Sequence, residues 1–269
     1  MGASTYVFDG TAHAAELGRL RSLERIFDPG TQRLLGAMGA ATGARCLEVG
    51  AGAGSIATWL ADTVGPTGHV LAVDVSARFL GAAARANLQV REGDIRTTRL
   101  EPASFDLVHA RFVLIHLPQA MDALGAMLGC LKPGGALVLE EPDFSSARAF
   151  TGTFEQRRGF GNVNRAIEAM FRQGRMDHGF GARLPGLVQA RGLEDLVVEN
   201  DAPIVRGGAP HATMMAMSTV QLREKYLATG LASEEDLAGY ASFATDPSCW
   251  ATYHATIRAA GRKPRPAVT

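Results

Sequence analysis

The chain is short of cysteine and has no surplus of either charge, and each shortage excludes something. Its three cysteines, Cys46, Cys130 and Cys249, are widely separated, odd in number and form no C-x-x-C pair. That pattern argues against a disulfide framework or a cysteine metal site and fits thiols kept reduced in the cytoplasm. Basic and acidic side chains both number 27, so the formal net charge is zero. Phosphate-backbone binding normally shows as a basic surplus or stripe, so nucleic acid is not expected as a partner. The one basic cluster, Arg262-Lys263-Pro264-Arg265, reads as a solvated tail. No apolar run approaches ~18 residues, and the start lacks the basic-then-apolar pattern of a secretory leader, so no membrane association is expected. With 269 residues, 46% hydrophobic and 20% charged, the chain has room for one sizeable α/β domain plus an inserted cap.

What is present begins with Cys46-Leu47-Glu48-Val49-Gly50-Ala51-Gly52-Ala53-Gly54-Ser55. A short apolar run ends in an acid, three glycines follow at alternate positions, and an apolar-periodic helix runs from Ile56 to Val64. Glycines at a strand-to-helix turn let backbone approach a ligand closely, and the helix N-terminus behind them offers N–H groups without partners. About twenty residues on, Val70-Leu71-Ala72-Val73-Asp74 reads as a second buried strand ending in a carboxylate suited to ribose hydroxyls. The pair describes a nucleoside-containing cofactor across the C-terminal ends of two parallel strands. The dinucleotide fingerprint G-x-G-x-x-G fails from Gly50, where Ser55 holds the third place, and passes weakly from Gly52 with Ala57. Glu48 tips the balance, because an acid there suits an ammonium and not a pyrophosphate.

Short apolar strands alternate with helices along the first half. Strands are predicted near 45–49, 69–74, 88–91, 105–110 and 136–141. Two helices are predicted over 12–40, the second opened by Asp28-Pro29; another is capped by Ser76 and reaches Ala86, and one runs from Pro118 to Leu131. This rhythm means βαβ units and a parallel sheet. After Pro142 it breaks. Helical stretches near 145–180 and 210–247 carry Phe150, Phe154, Phe160, Phe171 and Met214, Met215 and Met217; a helix near 183–191, a strand near 193–200 and a last strand from Trp250 to Ala259 return to the core.

Val90-Arg91-Glu92-Gly93-Asp94-Ile95, Phe105-Asp106-Leu107-Val108-His109-Ala110-Arg111 and Leu131-Lys132-Pro133-Gly134-Gly135 through Glu140 complete the set. In this order and spacing, from about Arg45 to Asp143, the chain resembles the class I S-adenosylmethionine-dependent methyltransferases, in particular bacterial small-molecule enzymes of natural-product pathways. The resemblance implies a Rossmann-like doubly wound α/β sheet of seven strands, mostly parallel with the last antiparallel, plus a helical cap. It implies an N-terminal helical extension or lid (1–44), a cofactor-binding core (45–144), a cap insertion (145–182), a core helix and strand (183–206), cap helices (207–248), and a last strand and tail (249–269).

By the same resemblance, Glu48 receives the cofactor's ammonium, Gly50, Ala51, Gly52 and Gly54 lie along its carboxypropyl chain, and Asp74 with Val75 holds the ribose. Asp94 takes the adenine amine and the Ile95 N–H a ring nitrogen; Ala110 and Arg111 end the fourth strand beside the reacting sulfur. Arg111 has two open readings, a ligand contact or a pair with an acid. His116 is the candidate general base, against a packing or cofactor-contact role, whereas His109 reads as a core histidine. Of Glu140, Glu141 and Asp143, strand alternation lets one or two face the pocket, and Glu141 and Asp143 are the further catalytic candidates. Tyr6, Phe144, Phe171, His178, Met214 and Met217 are the expected substrate contacts. No metal is expected.

The function so implied is methyl transfer from S-adenosylmethionine, leaving S-adenosylhomocysteine, to oxygen, nitrogen or carbon of a small apolar acceptor in the cytoplasm, in a chain able to form homo-oligomers. A cofactor-binding protein that promotes a cyclisation is the alternative. The chain has no Tyr-x-x-x-Lys pair, which a short-chain dehydrogenase needs, and Ala110-Arg111-Phe112-Val113 stands where a flipped-adenine enzyme carries Asn/Asp-Pro-Pro-aromatic.

Overall fold

In the computed structural model, which describes residues 6–8, 10–80 and 85–266, seven strands form one sheet in the order β3-β2-β1-β4-β5-β10-β7. The strands are β1 (Arg45–Val49), β2 (His69–Asp74), β3 (Leu88–Glu92), β4 (Phe105–Arg111), β5 (Leu131–Asp143), β7 (Glu194–Asp201) and β10 (Ala255–Arg262). Neighbours from β3 to β5 pair in parallel, and β10 is antiparallel to both β5 and β7. This is the mostly parallel, Rossmann-like doubly wound sheet that the resemblance implies. β6 (Arg148–Ala149), β8 (Val205–Arg206) and β9 (Trp250–Thr252) form a separate small sheet.

Two boundaries differ from expectation. The last strand does not begin at Trp250: the chain leaves the small sheet at Tyr253-His254 and enters the main one at Ala255. The N-terminal segment is not two helices but one, α1 (His13–Met38), with Pro29 inside it. An interior proline forfeits a backbone hydrogen bond, yet anchors on both sides of it outweigh that loss. Leu34, Leu35 and Met38 enter the core after Pro29, while Asp28 pairs with Arg111 at 2.8 Å just before it. The helix expected to follow Ser76 is a short 3-10 turn, Ala77–Phe79, with no side-chain cap from Ser76; residues 81–84 lie outside the described set.

The pleat sorts residues between the two faces of the sheet. Leu47, Val49, Val108, Ala110, Leu137 and Leu139 belong to one buried cluster. Cys46, Leu107, Ala136, Val138 and Ala260 belong to the other, under α1 and α2 (Ser55–Val64). Along that second face, residues nearer the C-terminal ends of β1, β4 and β5 change from apolar to ionic, with Glu48, His109 and Glu140 all buried. No helix is long and apolar enough to cross a membrane, among the described residues.

α3 (Ala120–Cys130) and α5 (Leu184–Ala190) pack on the sheet, and the cap is built on α4 (Phe154–Gln173), α6 (Pro210–Gln221), α7 (Arg223–Ala228) and α8 (Glu234–Thr245). α4 and α8 meet at facing glycines: a Cβ on Gly159 would lie 2.5 Å from the Asp236 carbonyl and one on Gly239 would lie 2.8 Å from the Glu155 carbonyl. The atoms in the way are backbone and cannot swing aside. Gly159→Ala is therefore expected to destabilise by about 1–3 kcal/mol through overpacking, despite alanine's better helix propensity. An unchanged denaturant midpoint would contradict this crossing.

Candidate active site

A cavity of about 790 Å³ opens at the C-terminal ends of β1, β2 and β4, under α1 and between the sheet and the cap. Its floor is the glycine turn. Gly50, Gly52 and Gly54 have φ of 71°, 57° and 92°, which side chains rarely adopt. At Gly50 a Cβ would also meet Val113 Cγ2 at 2.3 Å, so only glycine fits there. Asp74 ties this turn to the next: one carboxylate oxygen accepts Gly52 N–H and the other accepts Ser76 N–H, both at 2.9 Å. Burial pushes the Asp74 carboxyl up, and those two N–H groups oppose it. Each oxygen keeps lone-pair capacity for a further donor. Asp94 lines the cavity beyond β3; Arg96 grips it at 2.5–3.0 Å and holds its pKa below the usual range.

Glu48 lines the cavity and is buried. Its Oε2 lies 2.6 Å from His109 Nδ1, whose Nε2 lies 3.2 Å from Glu140 Oε1. Glu140 Oε2 accepts Arg258 Nε–H at 2.8 Å. Burial alone would lower the pKa of His109, but the two carboxylates outweigh it and hold it up at about 9. Burial pushes Glu48 up, against His109. His109, read as a core histidine, is thus a buried link between two acids. The helix N-terminus behind the glycines is less open than expected, because Glu24 of α1 accepts Ser55 N–H at 3.1 Å.

The lid side is held by charge. Tyr6 donates to Glu16 Oε1 at 2.5 Å, Arg19 donates to both Glu16 oxygens and to the Tyr6 hydroxyl, and Arg19 stacks 3.8 Å over Phe8. Tyr6 also meets His116 edge-on with ring centroids 5.1 Å apart. His116 is half-buried, and its enclosed Nδ1 has no hydrogen-bond partner among the described residues; desolvation of the ring, with Arg19 adding, pushes its pKa down to about 3. Phe112, directly after β4, has φ of 56°, a strained value for a bulky residue.

Of the predicted residues, Glu48, Gly50, Ala51, Gly52, Asp74, Val75, Asp94, Ile95, Arg111, His116, Tyr6, Phe144, Phe171 and Met214 line the cavity, and six do not. Gly54 sits behind the turn as the cap of α2. Ala110 faces the apolar cluster on the opposite side of the sheet. Glu141 is turned inward, where its carboxylate accepts N–H groups of Val113, Leu114 and Ile115 at 2.7–3.2 Å. Asp143 caps the 3-10 turn Phe144–Ser146. At His178 it is the backbone carbonyl that acts, taking Phe144 N–H at 3.0 Å. Met217 packs against Gly18 and Ser22 of α1. Arg111 pairs with an acid, the second of its two readings, bonding Asp28 and Thr31 at 2.8 Å, and it also lines the cavity.

Cavity residues not anticipated include Phe112, Met215, Ser218, Leu222, Tyr226 and His254. The stripe 214-218-222 has helical spacing, which would have chosen Ser218 and Leu222 over Met217. His254 had no sequence signal, because it lies where the chain switches sheets. It is buried, and burial pushes its pKa down to about 4.

Residues 47–139 match the family described as Methyltransferase domain. That segment, about a third of the chain, is similar to methyltransferase domains. A demethylmenaquinone methyltransferase of Staphylococcus aureus is 35% identical over 115 residues, covering 41% of this chain and 48% of the relative. The chain spans about a third to a half of the length of the curated relatives it matches. Phosphoethanolamine N-methyltransferase 2 of Haemonchus contortus, solved with phosphomonomethylethanolamine and S-adenosylhomocysteine, superposes with TM-score 0.57 and 19% identity over 91% of this chain and 56% of that one. The 4+2 cyclase SpnF gives TM-score 0.52 and 19% identity over 90% and 81%. At such identity both likenesses speak to the fold.

The buried ion row has a pH signature. A histidine whose pKa is raised from 6.5 to about 9 contributes stability that is fully present below pH 6.5 and lost as pH rises to about 9. The contribution is on the order of 3 kcal/mol. The wild-type unfolding midpoint should fall further across that window than that of His109→Gln, in which Glu141, pushed up to about 8 by burial, still titrates; parallel declines would contradict the assignment.

Proposed function

We propose that this chain is an S-adenosylmethionine-dependent methyltransferase whose acceptor is a small, uncharged, largely apolar metabolite of the secondary-metabolite kind. The observation that carries the reading is the division of one cavity into two unlike parts. Three carboxylates, Glu48, Asp74 and Asp94, stand along its strand-end side, while Phe112, Phe144, Phe171, Met170, Met214 and Met215 line the part under the cap. The carboxylate side suits a ligand with an ammonium, a ribose and an adenine amine. Gly50 and Gly52, left-handed and on the cavity wall, offer a ligand backbone without side chains. Three buried free cysteines fit a reducing, cytoplasmic setting.

When bound, the cofactor supplies a methyl already activated on a sulfonium. The protein's part is then to hold a nucleophile in line, which is chiefly proximity and orientation. The apolar walls exclude water and press the acceptor toward the strand ends. Of the four arginines that line the cavity, Arg78 lies over the Phe79 ring at the turn after β2, and the other three are paired: Arg19 with Glu16, Arg96 with Asp94 and Arg111 with Asp28. An acceptor carrying a phosphate, such as the one bound to the Haemonchus enzyme, would find no uncommitted partner among these three. A flat neutral ring, as in quinone-type acceptors, fits the aromatic and thioether lining better.

Desolvation leaves His116 neutral with a pKa of about 3, too weak a base to match a hydroxyl near neutral pH. We therefore assign it a hydrogen-bonding and packing role toward the acceptor. His116→Gln should lower turnover by less than about tenfold and leave no change near pH 6.5 in kcat/KM, whereas a loss of 10²–10⁴-fold would restore the base role. The same neutrality of His116 and His254 favours, as a second reading, a rearrangement that needs no base, such as a cyclisation. A product heavier than substrate by one methylene, with S-adenosylhomocysteine released, separates transfer from isomerisation.

The reading stands or falls on cofactor binding. Calorimetry should show S-adenosylmethionine binding to the wild type, and Asp74→Ala should weaken it by about 2–4 kcal/mol, since two ribose hydroxyls lose their acceptor. Near-native affinity in the variant would remove the ribose assignment.

A further inference from the structure

We infer that His109 is a positioning residue for the cofactor site, fixing the Glu48 carboxylate so that one oxygen is held inside the sheet and the other is presented to the cavity. The inference rests on the functional reading above and concerns a residue that touches no ligand-facing surface itself: His109 is fully buried and does not line the cavity.

The geometry is built across four strands. Glu48 on β1 and His109 on β4 are direct cross-strand partners, as are Glu140 on β5 and Arg258 on β10. Each imidazole nitrogen is committed to a different acid, Nδ1 to Glu48 at 2.6 Å and Nε2 to Glu140 at 3.2 Å. A ring held at both ends cannot rotate, so it hands the Glu48 carboxylate one fixed direction. Arg258 secures the far end through Glu140 at 2.8 Å, with Glu199 and Asp201 of β7 at 3.8 and 3.6 Å. Helix α1 closes over the row at Gly30, where a Cβ would lie 2.7 Å from Arg258 Nη2. The whole row is packed in place before any ligand arrives.

At the near end, only Oε2 of Glu48 is used. Among the described residues Oε1 makes no hydrogen bond, and Glu48 is the member of the row that lines the cavity. The chemistry that completes such a carboxylate is a cation with N–H donors, the amino-acid ammonium of the cofactor. Holding the acceptor's orientation beforehand lowers the ordering cost of binding. His109 therefore acts on the amino-acid end of the ligand and not on its adenosine end, which Asp74 and Asp94 face.

That asymmetry makes the test. Calorimetry on the full chain compares S-adenosylhomocysteine, which carries the ammonium, with 5′-methylthioadenosine, which lacks the amino-acid part. In His109→Gln, affinity for S-adenosylhomocysteine should fall about tenfold, the worth of one hydrogen bond to a charged group, while that for methylthioadenosine stays within about twofold of the wild-type value. Glu48→Gln should show the same selectivity, and His109→Gln added to it should cost nothing more. Equal loss for both ligands would make His109 merely structural, and no loss, or an additive double variant, would equally overturn the inference. Should His109→Gln fail to fold, Glu140→Gln frees one end of the imidazole and must show the same ligand selectivity. A wild type that binds neither ligand overturns the functional reading itself, a result distinct from any of these.

Discussion

A carboxylate buried at the end of a parallel strand must be paired, and the way this molecule pairs Glu48 organises much of what surrounds it. An unpaired charge in that position would be strongly destabilising. The answer is a row, Glu48–His109–Glu140–Arg258, in which acid and base alternate across four strands. The row needs a cover that excludes water yet tolerates guanidinium groups. α1 provides it, with Gly30 against Arg258, Asp28 and Thr31 against Arg111, and Arg33 against Glu199. The same helix reaches the cavity rim through Glu16, Arg19 and Glu24, so the support of the row and the roof of the site are one element.

The cavity inherits its polarity from this arrangement. On one side the strand ends and glycine turns bring carboxylates and backbone together. On the other, the cap brings rings and thioethers, and desolvation beside it keeps His116 and His254 neutral. A cationic, polyhydroxylated ligand and an uncharged acceptor would meet at the seam between the two. Chemistry that depends on orientation more than on proton transfer is well served by such a seam.

The cofactor side was legible in the sequence because its determinants are local. A strand, a glycine turn and a helix are adjacent in the chain, and a carboxylate at the end of the next apolar strand falls beside them by the parallel pairing of β1 and β2. The cap side was not, because its contacts depend on which helical face meets α1. Met217 and Met215 are equivalent as composition, yet one packs on Gly18 and the other lines the cavity. Glu141 and Asp143 have the chemistry of catalysts, but unsatisfied turn N–H groups claim them first. Pro29 signals a helix start that anchoring on both sides overrides. The role of His109 needed the third dimension, since its two acids are 61 residues before it and 31 after it.

An imidazole held between two carboxylates stands behind the cavity-lining Glu48, and its nitrogens report directly on what it does there. In histidine-¹⁵N-labelled protein at pH 7, His109 should show two protonated nitrogens. Its Nδ1 signal should move when S-adenosylhomocysteine is added and stay in place with 5′-methylthioadenosine. A singly protonated His109 at pH 7, or a signal indifferent to S-adenosylhomocysteine at saturation, would contradict the account.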